Sequence, residues 1–206
     1  MAAWVSLYAP IVAKLAGSDV PLAMLLGHIQ VESGGRPDDH TSLDERGLMQ
    51  IHPGTSKQMG FDHNRMFEPA YSIWAGVEMF RRMADRLQKD FPSLFPVRSE
   101  FFWRMVRFEF AIGSGASRQI LRALQAQGLQ LRSWPQFVNA LHQDRASLLH
   151  LTKHDPVKWA TNVDKVFAAG DRLIRRVVVV GSGGVVFVLA AAAAVYFYFR
   201  SRKETA

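Results

Sequence analysis

One stretch limits what this chain can become before anything else is read: Val177 to Phe199, 23 consecutive residues without a charge. A helix rising ~1.5 Å per residue makes of them a rod about 35 Å long, enough to cross a ~30 Å hydrocarbon core with some tilt. A single C-terminal transmembrane helix is therefore expected over 177–199, with a juxtamembrane helix over 151–176 and a short basic tail over 200–206. Arg172, Arg175 and Arg176 precede the run and Arg200, Arg202 and Lys203 follow it, so flanking charge gives no orientation. Tyr196 and Tyr198 suit an interfacial belt at its far end.

What remains, residues 1–150, is one domain's worth, long enough to bury most of its unfolded surface without a staple. None is on offer, because the chain has no cysteine, which excludes a disulfide framework, a thiol nucleophile and a Cys-ligated zinc. Lys and Arg number 25 against 18 Asp and Glu; setting aside Arg200, Arg202, Lys203 and Glu204 leaves 22 against 17. That excess suits an anionic surface such as lipid headgroups or a carboxylate-bearing polymer. The basic residues are spread along the chain with no dense arm, so nucleic acid is not an expected partner.

Helical spacing of Trp4, Leu7, Tyr8, Ile11, Val12 and Leu15 predicts an amphipathic core helix over 1–16. Ser18 or Asp19 is the expected cap of a second helix, with Pro21 in its first turn and its end at Gly34-Gly35. From Arg36 to Glu68, Pro37, Gly47, Pro53, Gly54 and Gly60 imply loops and short turns, the stuff of a site wall. Pro69 to Lys89 reads as a helix, as does a segment capped by Ser99, running to Ile112 and stopped at Gly113-Ser114-Gly115. Further helices are expected over Ser117–Gln127, over Ser133–His142 and from Asp155-Pro156 onward. No period-2 pattern of useful length occurs, so the fold class is all-α.

Glu32 stands at the C-terminal end of the second helix, after the apolar residues Leu22, Met24, Leu25, Leu26, Ile29 and Val31. The negative end of the helix dipole and an apolar setting both disfavour ionisation of a carboxyl. A carboxyl that keeps its proton is what a general acid needs to protonate a glycosidic oxygen.

Glu32-Ser33-Gly34-Gly35, then Gly47-Leu48-Met49-Gln50-Ile51-His52-Pro53 with Thr55, then Ser72-Ile73 and Gly76, resemble in order and spacing the signatures of the lytic transglycosylase domain of the soluble lytic transglycosylase type. The resemblance covers roughly residues 20–125. It implies a lysozyme-like fold over 1–150 with a cleft for peptidoglycan glycan strands. It also implies cleavage of the β-1,4 bond between N-acetylmuramic acid and N-acetylglucosamine, leaving a 1,6-anhydromuramic end. Glu32 would act first as acid and then as base toward the C6 hydroxyl. One carboxylate then suffices where ordinary glycosidases use two. By matched position Ser33 would orient Glu32, while Gly47, Leu48, Met49 and Gln50 would line the cleft, with core packing the other reading for Leu48. The resemblance implies no cofactor.

Two departures matter. Where members of the family carry an AYNAG-like segment, this chain has Glu109-Phe110-Ala111-Ile112-Gly113, so Phe110 replaces the tyrosine beside the sugar. Asp44-Glu45 precedes the second motif, and with Asp38 and Asp39 it puts carboxylates on the loop. One of these, or Glu109, could hold a water opposite Glu32 and turn the reaction into hydrolysis of the goose-type lysozyme kind. The other reading is a solvated acidic loop. A weakly active, glycan-binding structural membrane protein of a virion is a further alternative, kept open by Phe110 and Ala111.

His150 and His154 at i, i+4 could share a helix face toward a metal, but no HExxH pattern accompanies them, so no metal is expected. Trp74 and Trp103 are candidate stacking faces for a sugar. The first helix lacks the cationic start and unbroken apolar core of a secretory signal. A wall-cleaving domain on a C-terminal anchor is therefore expected as a single-pass membrane protein acting in the periplasm or cell wall. Carriage in a bacteriophage virion membrane, with virion or envelope proteins as partners and use during genome entry, is one account of that topology; the rival is a bacterial envelope protein serving a secretion system.

Overall fold

The computed structural model describes residues 3–94 and 98–179. Among them, nine α-helices and one 3-10 turn carry the chain, and the β content is confined to two isolated bridges, His40 with Arg46 and Arg46 with Ile51. The helices are α1 (Ala3–Ala16), α2 (Leu22–Glu32), α3 (Pro53–Met59), α4 (Pro69–Asp90), α5 (Glu100–Ile112), α6 (Ser114–Ala126), α7 (Trp134–Gln143), α8 (Arg145–Thr152) and α9 (Pro156–Val179). None of the described helices is long and apolar enough to cross a membrane. The apolar run expected to do so lies, after Val179, outside the described residues.

The chain divides into two compact units, Met1–Met79 with Val166–Ala206, and Phe80–Lys165. In the first, α1 packs on α2, burying Trp4, Val5, Val12, Met24, Leu25, Leu26 and Ile29. Ser18 and Asp19 do not cap α2. Pro21 takes the N-cap position in extended conformation and no side chain bonds the first turn. The amides of Asp19 and Val20 instead bond the Ala16 carbonyl, so this stretch closes the end of α1. The later part of α9 lies against α2 at backbone distance. A Cβ on Gly27 would stand 1.9 Å from the Val166 carbonyl oxygen, and one on Gly170 would stand 1.8 Å from that of Ala23. Only a side chain of hydrogen fits on either helix at this crossing.

The second unit is built on aromatic packing. Phe108 meets Phe137 edge to face at 5.2 Å, and Trp134 lies 5.4 Å from Phe137; such pairs add to the burial of their area. Its helix starts follow the serines and aspartate expected from sequence. Ser99 accepts from the Phe102 amide, Ser133 from Gln136, and Asp155 from Val157. Arg104 bonds the Asp164 carboxylate at 2.6 Å, and the Trp134 indole donates to the same oxygen. Helix α6 starts at Ser114, earlier than the spacing indicates, because Gly113 alone, at φ 89°, makes the break after α5.

Candidate active site

Glu32 is the last residue of α2, with its side chain 23% exposed, so the carboxyl stands where the apolar helix meets solvent. The next residue turns inward. Ser33 is buried, and its hydroxyl lies 3.1 Å from the Ile29 carbonyl and 3.0 Å from that of Leu48 while accepting from the Gly35 amide. Ser33 thus fastens the end of α2 to the 47–50 loop.

That loop is held at several points. Gly47 has φ 72°, a left-handed conformation that glycine adopts without the strain other residues incur. A Cβ there would lie 1.8 Å from the Met66 carbonyl oxygen, in the 3-10 turn His63–Phe67. Leu48 and Met49 are fully buried. Their side chains belong to the core, and what they can offer a ligand is backbone. Gln50, also buried, spends its amide donor on the carbonyls of Gly47 at 2.8 Å and Asp39 at 3.0 Å. Its chemistry in this structure is that of a loop brace. The third sequence motif holds the loop from behind: the Met49 amide donates to the Ser72 hydroxyl at 3.2 Å. A Cβ on Gly76 would come 2.3 Å from the Met49 methyl group.

The acidic loop is tied down as well. Asp44, itself at φ 58°, receives the Arg46 guanidinium through both carboxylate oxygens, at 2.6 and 3.1 Å. His63 donates to its carbonyl at 2.9 Å and contacts the Ser56 hydroxyl at 2.9 Å. The Arg46 hydrogen bond holds the Asp44 carboxyl below the usual carboxylate range, against the opposing effect of desolvation. Glu45 accepts from the Thr41 hydroxyl, and Asp39 pairs with Arg36.

Sequence reading passed over His28. It lies one turn before Glu32 on α2, is fully buried, and has Nε2 3.1 Å from the Met49 carbonyl and Nδ1 3.9 Å from Glu32 Oε1. The available signal was the i, i+4 spacing to the carboxylate; the apolar residues around it masked that signal.

Phe110 and Glu109 belong to the second unit. Phe110 lies beneath the Arg107 guanidinium, 4.8 Å from the ring centre, and 5.6 Å from Phe80. Glu109 is buried, and desolvation pushes its carboxyl up, opposed in part by Ser114, Arg118 and Arg86. Trp103 is buried and offers no stacking face, whereas Trp74 is 40% exposed and packs on Tyr71 and Phe61. His150 and His154 do not share a helix face, because α8 ends at Thr152 and Lys153 is left-handed.

An all-helical unit that sets one partly exposed carboxyl at a helix end, braced by a buried glycine-containing loop, defines a class of domain. Comparison with known proteins identifies it: the chain belongs to the Transglycosylase SLT domain family, which matches residues 10–119, over half of its length. A stretch of 63 residues is also 32% identical to a protein named Transglycosylase from Enterobacteria phage PRD1, covering 31% of this chain. The match spans 23% of that relative's length.

Proposed function

We propose that this chain is a peptidoglycan lytic transglycosylase. It cleaves the β-1,4 bond between N-acetylmuramic acid and N-acetylglucosamine and leaves a 1,6-anhydromuramic end. Family membership supports the general activity, and the observation that carries the site assignment is the position of Glu32, terminal on a buried helix yet open to solvent. Glu32 gives its proton to the leaving oxygen and then, as carboxylate, takes one from the C6 hydroxyl as that oxygen bonds C1. The proton count closes on the same residue, and no water is consumed. The 47–50 loop presents backbone groups to the glycan.

The acidic loop offers less support to a hydrolase of the goose-type lysozyme kind. The Asp44 carboxylate is occupied by Arg46, and Glu109 is buried. A glycan-binding structural protein of a virion is the remaining alternative. We read Val177–Phe199 as a membrane anchor on the strength of its length and lack of charge. The likeness to a phage transglycosylase supports a phage setting, and within it the proposed use is opening the wall during genome entry, with virion or envelope proteins as partners.

Mass spectrometry of products released from purified peptidoglycan by the full chain, beside Glu32→Gln, tests the reading. Anhydromuramic ends that disappear in the variant support it. Reducing ends point to the hydrolase, and wall binding without any product points to the structural role.

A further inference from the structure

The polar atoms of His28 have a geometry that a core histidine does not require. A carbonyl oxygen only accepts, so the 3.1 Å contact between His28 Nε2 and the Met49 carbonyl means that Nε2 carries a proton. The other ring nitrogen, Nδ1, faces the carboxyl of Glu32 at 3.9 Å across one helical turn. That separation is longer than a hydrogen bond, but catalytic contacts commonly tighten once substrate is bound. The ring is fully buried, so little room remains for it to turn away. Its two nitrogens bridge the two parts of the site: α2, which ends in Glu32, and the 47–50 loop.

We infer that His28 is a positioning residue for Glu32, holding Oε1 through Nδ1 while its Nε2–H locks the ring to the Met49 carbonyl. This rests on Glu32 being the acid and base of the proposed reaction. With Nε2 committed, Nδ1 meets Oε1 in one of two ways. It accepts the carboxyl's proton as a lone pair, or it donates to the carboxylate after that proton has moved to the ring. That one proton is the one Glu32 passes to the leaving oxygen, and the pair regains it from the C6 hydroxyl, so no further acid or base is needed. Holding Oε1 matters because misplacement of a reacting group on the scale of 1 Å costs about a hundredfold in rate.

Two measurements on the full chain test the inference. His28→Gln keeps an amide donor within reach of the Met49 carbonyl and removes the ring nitrogen that faces Glu32. Assayed on soluble glycan strands, this variant is expected to keep its melting temperature and KM while kcat falls at least about tenfold. A folded His28→Gln with kcat within twofold of the parent overturns the inference. If the variant does not fold, the decision passes to the nitrogen-15 histidine spectrum of the unaltered protein. There His28 is expected to carry a proton on Nε2, and its Nδ1 resonance to move in Glu32→Gln. An unprotonated Nε2, or an Nδ1 resonance indifferent to Glu32→Gln, overturns it. Activity retained in Glu32→Gln would instead refute the functional reading itself, whatever His28 does.

Discussion

Ser33 and Gly47 stand in two short motifs and answer to different physics. Ser33→Ala takes from the buried Leu48 carbonyl the hydroxyl it accepts from, and is expected to lower unfolding free energy by about 1–3 kcal/mol. Gly47→Ala must place a Cβ at positive φ and against the Met66 backbone. The backbone strain alone costs about 1–3 kcal/mol, so in urea denaturation this variant should be the less stable of the two. Glu109 gives a prediction of opposite sign. Its carboxyl pKa is raised in the folded chain by burial, so the folded state holds the proton more tightly than the unfolded one. Stability therefore falls as pH rises from the unfolded carboxyl value toward the raised folded one. Glu109→Gln should flatten that fall, gaining melting temperature over the parent near neutral pH and little or nothing in acid.

Among the elements, the crossing of α2 with α9 is the most demanding. Gly27→Ala and Gly170→Ala each push a methyl group into a carbonyl of the opposing helix. Overpacking of this kind costs about 1–3 kcal/mol, and a thermal melt of either variant should show it. The sequence carries the helices well: apolar spacing locates α1, α4 and α5, and Ser99, Ser133 and Asp155 mark starts that the structure confirms. Helix α8 escapes that reading because it is short and follows α7 through Asp144 alone. The α2 cap is misread because two residues with capping side chains precede a proline that needs none. Around the candidate site, the place of Glu32 at a helix end is legible in the sequence. Leu48 and Met49 are not, since a motif does not say whether a side chain faces ligand or core. The crossing glycines were hidden for a related reason. Nothing local in Gly27 or Gly170 records that another backbone passes within van der Waals range.

For the molecule as a whole, the proposed anchor is directly testable. The full chain is expected to float with phospholipid vesicles in a density gradient, and a chain ending at Arg176 to stay behind. Flotation of the shortened chain would move the lipid-binding surface elsewhere. The α2–α9 crossing bears on where such an enzyme works. Gly170, which touches α2, lies nine residues before Val179 on the same helix, about 14 Å of rise, and Gly27 lies five residues before Glu32, about 8 Å. With the apolar run seated in a bilayer, Glu32 hangs on a leash of only a few helical turns with no slack in it. On the proposed anchor, its working zone would be the layer of wall lying closest to the lipid, and strands farther out would come within range only when the membrane itself is brought to them.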